Sequence, residues 1–439
     1  MAIELSNLTF TDGDDVVPES GVERILNTGI ANTLAGNDII FGTGYPDTGL
    51  GGTESIVNYG TLNTDDGNDI IFGTGGNYYT IINYDGLINT GDGDDIILGI
   101  PSQNQPPGLS GTGIATIGGI GIATGDGNDI VNGISNDATG IHITYSSIDT
   151  GDGDDIITAN GLSSGINVNY LGSLDTGKGE DIITGTGTGN NSIYGIQNFN
   201  FFNTGDGDDY ITGTAVAPYS VSYPSVGINN SGTFNTGNGN DYITGTNTSS
   251  GGYGITNRGL IDTDEGNDSI TCTAVENFNT IETGDGDDII TSTGVIYNEG
   301  IINTGNGNDN IEGVDIAGIG YGIYNNGGAI NMGDGNDSII ANDGFESAPN
   351  SGGAWFLGEG DDYIKGYGSG DFYGGNSFDR LELTPGTYTL KKWADNTGES
   401  VVFTKGNSLM ITSEFEQLIA GGTTYDFTSL TEGQTITVA

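Results

Sequence analysis

The chain has 439 residues, 59 of them acidic and 8 basic, which gives a formal charge of -51 at pH 7. An acidic excess of that size excludes a nucleic-acid groove and argues against binding to anionic membranes. It also opposes any compact state by self-repulsion, so either the chain is disordered or something cationic neutralises it.

Disorder is disfavoured because the apolar residues, many of them Ile, are strictly patterned. The 82 Gly suggest tight turns, and 9 Pro without a Gly-X-Y period exclude collagen. No apolar run approaches the roughly 18 residues of a membrane span, so no membrane insertion is expected. The start, Met1-Ala2-Ile3-Glu4-Leu5-Ser6, has neither the basic nor the apolar region of a secretory signal peptide. Residues 1–14 read as an N-terminal cap strand, Ile3 to Phe10, leading into the first copy of a repeat.

The repeat dominates the sequence. A motif of the kind Asn89-Thr90-Gly91-Asp92-Gly93-Asp94-Asp95 recurs in 14 copies, 20 to 34 residues apart and about 27 on average. Its final Asp falls at Asp15, Asp38, Asp69, Asp95, Asp129, Asp155, Asp181, Asp209, Asp241, Asp268, Asp288, Asp309, Asp337 and Asp362. A period of this length marks a solenoid, propeller or array.

Each repeat contains a segment such as Gly254-Ile255-Thr256-Asn257, a run into the motif such as Leu260-Ile261-Asp262-Thr263, and a run after it such as Asp241-Tyr242-Ile243-Thr244-Gly245. Alternating Ile, Leu or Val between small and polar residues, broken by Gly or Asn, gives three short strands and no helical period. The expected fold is all-β: a right-handed parallel β-helix of about 14 coils over residues 15–366, on the order of 65 Å long at one strand spacing per coil. Asn recurs in the first strand at Asn58, Asn83, Asn198, Asn230, Asn257, Asn298 and Asn325, either as a stacked amide ladder or as turn residues satisfying local backbone.

Insertions at 101–108 and 215–224 read as surface loops or partner contacts. Cys272, the single cysteine, precludes an internal disulfide and reads as a small buried or turn residue. After Asp362 the composition shifts: Lys365, Arg380, Lys391, Lys392 and Lys405 are five of the eight basic residues, and aromatics alternate from Phe378 to Phe427. Residues 367–439 therefore read as a separate antiparallel β cap.

In register, the motifs stack carboxylates one strand spacing apart, where two charges repel by about 0.8 kcal/mol in water. Oxygen-only ligands on a Gly turn suit a hard ion of flexible coordination, Ca2+, and a single His142 and a single Cys272 disfavour zinc or copper. The candidate ligands are the final acids above together with Asp14, Asp66, Asp92, Asp94, Asp126, Asp152, Asp154, Asp206, Asp208, Asp285, Asp287, Asp334, Asp361 and Asp379. The alternative is a turn in which each Asp only caps backbone N–H groups.

Gly91-x-Gly93-x-Asp95-x-Ile97 resembles the glycine-rich nonapeptide of RTX, or haemolysin-type, calcium-binding proteins, and Gly374-Gly375-Asn376-Ser377-Phe378-Asp379 resembles a degenerate full copy. The resemblance implies Ca2+ held between stacked turns by Asp side chains and backbone carbonyls, with folding after export. Thr usually stands where the family has its first Gly, and one motif per coil implies one ion column, each loop partnered by its neighbour: Asp95 by Asp69 and Asp129. The copies at 34–38, 64–69 and 264–268 deviate further and are expected to bind weakly or not at all. The tail, Phe415 to Gly422 and Gln434 to Ala439, resembles the C-terminal domains of cyanobacterial RTX-type proteins, which implies type I secretion by an uncleaved C-terminal signal and an extracellular or cell-surface location.

The expected role is a non-enzymatic structural protein of a surface layer, sheath, matrix or filament, self-associating head to tail or laterally. One alternative is an adhesin binding cell-surface polysaccharide through Tyr78, Tyr79, Tyr84, Tyr253, Tyr321 and Tyr324. The other is a lyase- or epimerase-like enzyme, disfavoured because residues 1–364 offer only Arg24, Lys178 and Arg258 as cations and His142 reads as an outward strand residue.

Overall fold

The computed structural model describes residues 2–18, 23–44, 53–76, 78–101, 111–190, 192–217, 225–249, 251–315, 318, 320–347, 352–394 and 399–439. The insertions at 102–108 and 218–224 lie outside the described residues. Contacts divide the chain into one unit of residues 1–238 and 243–254 and a second of 239–242 and 255–439.

In the first unit each coil has three strands, and every strand pairs in parallel with its counterpart one coil away. Ile25, Ile56, Ile81, Ile114, Ile141, Ile166, Ile196 and Ile228 form the inward row of the first strands. Ala31 to Phe234 form that of the second strands. Val17 to Ile211 form that of the third. All are buried. Burying one such Ile contributes about 1.5–3 kcal/mol, and β-branched side chains suit a pleated surface. Glycine in the third strand sets how closely the walls approach: a Cβ on Gly213 would lie 2.4 Å from Ile228 Cγ1 and 2.5 Å from the Gly227 carbonyl.

The second unit repeats this plan with Val275, Ile296, Ile323 and Phe345 in the first row and Ile270, Ile290, Ile311, Ile339 and Ile364 in the third. Towards its C-terminal part aromatics replace Ile: Trp355 stacks on Phe372 at 4.3 Å, with Phe345 against both. Parallel pairing does not stop at 366. Gly370–Asn376 and Arg380–Leu383 pair in parallel with Ala354–Glu359 and Tyr363–Lys365, and Ser408–Ser413 and Gln417–Ala420 add a further level. The antiparallel part is an insertion, Gly386–Ala394 with Glu399–Lys405, joined by Thr423–Asp426 and Thr435–Val438.

At the N-terminus the strand is shorter than expected, Ala2–Glu4, followed by a 3-10 turn at Leu5–Asn7. The turn buries Leu5, and Glu4 accepts the Thr28 N–H at 2.7 Å. That strand pairs in parallel with Arg24–Asn27, so it is part of the first coil.

The recurrent Asn residues do both things weighed for them. Asn27 donates to Asn58 at 2.8 Å and Asn58 to Asn83 at 2.7 Å; in the second unit Asn257, Asn277, Asn298 and Asn325 continue likewise at 2.8 to 3.0 Å. Asn58 Nδ2 also donates to the Gly60 and Leu87 carbonyls, closing the turn behind the strand. In the middle of the first unit Thr116, Ile143 and Val168 take the same row; the Thr116 hydroxyl receives the Asn83 amide and pairs with the Ser146 hydroxyl, and Ile143 and Val168 replace the ladder by apolar packing. Asn58→Ala should take the donor from the buried Asn83 side-chain carbonyl and one bond each from the Asn27 amide and the half-buried Gly60 and Leu87 carbonyls, and lower stability by about 1–3 kcal/mol, seen as a lower urea midpoint; an unchanged midpoint would show that the ladder does not hold the coils.

Candidate functional site

The corner that carries the acidic motif is built the same way in each coil, and Asn89–Ile97 illustrates it. Thr90 is buried, and its N–H donates to the Ala123 carbonyl of the next coil at 3.0 Å. Gly91 and Gly93 have φ of +91° and +145°, and a Cβ on Gly93 would fall 2.0 Å from the Gly67 carbonyl, so these positions require glycine. Gly93 N–H donates to the Asp126 carbonyl at 2.8 Å. Asp95 then turns inward, and Ile96 begins the third strand.

The motif's acids thereby separate. Asp38, Asp69, Asp95, Asp129, Asp155, Asp181 and Asp209 in the first unit, and Asp241, Asp268, Asp288, Asp309, Asp337, Asp362 and Asp379 in the second, are buried. Asp15, at the start of the column, is half-buried. In the first unit Asp66, Asp92, Asp126, Asp152 and Asp206 form one outer row and Asp14, Asp94, Asp154 and Asp208 a second; in the second unit Asp285 and Asp334 hold the first position and Asp287 and Asp361 the second. All of these are exposed except Asp208, which is half-buried.

Two ladders of side chain to backbone bonds run through the corner in opposite senses. In the buried column Oδ1 accepts the N–H of the equivalent Asp one coil earlier: Asp69 from Asp38, Asp95 from Asp69 and Asp155 from Asp129, at 2.7 to 2.8 Å. The second unit continues this from Asp241 to Asp379 at 2.7 to 3.0 Å. In the second outer row the side chain instead accepts from one coil later, as when Asp94 takes the Asn128 N–H at 3.0 Å and Asn128 the Asp154 N–H at 2.9 Å.

The second oxygen of the buried acids has a different environment. Oδ2 of Asp69, Asp95, Asp129, Asp155, Asp268, Asp288, Asp309, Asp337, Asp362 and Asp379 is inaccessible and lacks a direct hydrogen bond of good geometry. The motif Thr lies near it: Thr176 donates to Asp181 Oδ2 at 2.5 Å, while Thr90 donates to the Thr124 carbonyl at 3.2 Å. One hydroxyl proton cannot fully serve both acceptors, so most of these carboxylates are only partly satisfied.

Burial is therefore the main cause of raised pKa values in the column, followed by opposing hydrogen bonds and the charge of neighbouring Asp. It pushes Asp69 and Asp129 to about 6, Asp95 and Asp268 to about 7, and Asp155 to about 8. On the surface the direction reverses. Hydrogen bonds from Asn238 and Lys178 lower Asp206, and those from Asn308 lower Asp287.

Among the described residues no group of three or more His, Cys, Asp or Glu side chains converges on a point that would hold a metal ion. Carboxylates do gather around the divergent copy at 264–268, where Asp262, Asp264, Glu265, Glu282 and Asp285 line one open pocket. Sequence alone pointed to that copy as a weak site. The acids Asp262 and Glu282, just before the motif, come from adjacent coils and lie in register.

Two further residues belong to the corner. Glu416 accepts the Asp379 N–H through Oε2 at 2.7 Å and so ends the buried ladder; the alternation Phe415-Glu416-Gln417-Leu418 carries the signal. The motif Thr, which departs from the nonapeptide, is a buried wall residue rather than a turn residue. His142 sits half-buried on the outer side of its strand with its pKa lowered by burial, and Cys272 is buried with its thiol pushed up to about 12. No family model matches the chain, and no curated protein matches it.

Because the buried Asp bind protons more tightly folded than unfolded, folding takes up protons between the ordinary carboxylate value and the raised one. Without divalent ions, the column's contribution to stability should be fully present at or below about pH 4 and be lost as pH rises from there through 6 to 8. Asp155→Asn, which keeps the Oδ1 acceptor, should flatten that fall in thermal melts recorded in chelator. An identical slope in wild type and variant would remove the column as its source.

Proposed function

We propose that this chain is a secreted, non-enzymatic β-solenoid that serves as an extracellular structural protein and is rigidified by Ca2+ along its acidic corner. The observation that carries the structural part is uniformity. In both units the same three inward rows and the same corner recur.

The calcium part rests on the chemistry of the donors. The buried Oδ2 atoms lack full partners, two outer rows of carboxylates run beside them, and all the donors are oxygen, as Ca2+ prefers. The residues that would hold the ion are Asp92, Asp94, Asp126, Asp152 and Asp154 in the first unit and Asp262, Asp264, Glu265, Glu282 and Asp285 in the second. Bound there, a divalent cation supplies neutralisation of stacked charge. Export and cell-surface placement rest on the resemblance of the tail, and self-association is the corresponding mode of assembly. Millimolar Ca2+ should raise the melting temperature, more at pH 8 than at pH 5 because protons compete at the acid end, and should promote filaments or sheets in electron micrographs. A melting temperature indifferent to Ca2+ at both pH values would sink the calcium assignment.

A glycan-binding module is the second reading, favoured by an outward aromatic row in the second unit. Tyr324 lies 5.1 Å from both Tyr297 and Tyr321, Tyr297 lies 6.1 Å from Phe278, and Arg258 covers the Phe278 ring at 4.6 Å. Such a row stacks against sugar rings. Tyr297→Ala with Tyr324→Ala should then weaken retention on polysaccharide columns by about tenfold, and equal retention of wild type and variant would dismiss it.

A further inference from the structure

The third strands of the first unit present an outer face without charge that runs over seven coils. From Ile39–Thr43 to Tyr210–Ala215, seven strands pair one to one in parallel without a bulge. Three outward positions per strand give 21 residues, and none is charged. In a chain with 59 acidic residues, that exclusion needs a cause. Residues of high β-propensity account for Thr and Ile at single positions, but Lys, Glu and Asp are the residues most often found facing solvent.

Within the last three of these strands the face becomes regular in two dimensions. Thr158, Thr184 and Thr212 occupy one rank, Asn160, Thr186 and Thr214 the next, and the pairs are in direct register. Beside them runs a rank of exposed apolar residues, Ile156, Ile182 and Tyr210. The five Thr hydroxyls are bonded to no group among the described residues. Hydroxyls therefore repeat about 4.8 Å apart along the stack and about 6.6 Å apart along the strand, on a backbone fixed by the ladders on both sides.

We propose that this face binds ice. A partner periodic in two dimensions is the ligand for which such regularity matters, and a protein or a single polysaccharide chain does not require it. Of periodic surfaces, a mineral would call for charge, which is absent, and a crystalline glycan for a row of flat aromatics, where this part of the face has only Tyr210. Ice calls for what is present: hydroxyls spaced close to its oxygen repeats, methyl groups that shed loosely held water, and no charged group to hold a competing hydration shell. Rigidity supplies the rest, because a preorganised face loses little conformational freedom on binding.

The test uses the full chain in an ice-recrystallisation assay, with ice-affinity partitioning of the labelled protein as a second readout. Wild type should slow grain growth and enter the ice fraction. The double variant Thr184→Arg/Thr212→Arg should lose both effects with its circular dichroism unchanged, while Thr233→Arg, outward on a second strand, should keep them. If the Arg variant misfolds, Thr184→Ser/Thr212→Ser, which keeps the hydroxyls and removes two methyls, should need about tenfold more protein for equal inhibition. Wild type excluded from ice, or a folded Arg variant as active as wild type, overturns the proposal. So does a wild-type dimer that the Arg variant dissolves without any effect on ice, which would make this face a contact between copies.

Discussion

The structure depends on one hydrogen bond, made again in each coil: the buried Asp carboxylate accepting the backbone N–H of the equivalent residue one coil earlier. At this corner the chain turns too sharply for a strand ladder to continue, so that N–H would otherwise be buried without a partner. The Asp supplies the acceptor and fixes the height of each coil on the last. Coil length varies from 20 to 34 residues, whereas the buried Asp recurs in every coil, even where Leu34, Asp65 or Asp264 takes the place of the first turn glycine.

That choice of acceptor creates the chain's electrostatic problem. Each carboxylate uses one oxygen well and leaves the other in an interior where charge is disfavoured, with a neighbouring Asp on either side. Two agents relieve it within the chain, the motif Thr hydroxyl and a proton whose affinity the burial raises, and the proposed Ca2+ would be a third. The outer Asn residues interleaved with Asp help too, since an amide fills the same backbone-accepting place without charge, as at Asn68, Asn128 and Asn308.

The corner and the uncharged third-strand face are separate solutions on one repeat. Packing needs only the inward residue of each strand, so what points outward is free to differ from wall to wall. On the corner it is acid and amide. On the third strands of the first unit it is uncharged, chiefly Ile, Thr and Asn with Phe41, Phe72, Leu98 and Tyr210, and in the second unit Glu312, Lys365, Arg380 and Glu382 appear at the corresponding places. A conserved scaffold with divergent walls is the arrangement through which a repetitive protein acquires more than one surface chemistry.

The sequence by itself determined the coil: three short strands, an inward row in each and a glycine turn at the acidic corner all follow from alternation and from the φ that only glycine adopts freely. It also marked Asn58, Asn257 and their counterparts, although not that they serve ladder and turn together. What only the tertiary structure decided was direction. Asp92, Asp94 and Asp95 are adjacent in sequence and read as one ligand set, yet the turn sends the first two to solvent and the third to the interior, because the position after Gly93 alternates as a strand does. The register of Ser408–Ser413 and Gln417–Ala420 was equally illegible, since an antiparallel insertion separates them from the coil they continue. Side-chain period is local and can be read along the chain; which neighbour completes a hydrogen bond some 17 to 37 residues away is fixed only once the coils are stacked.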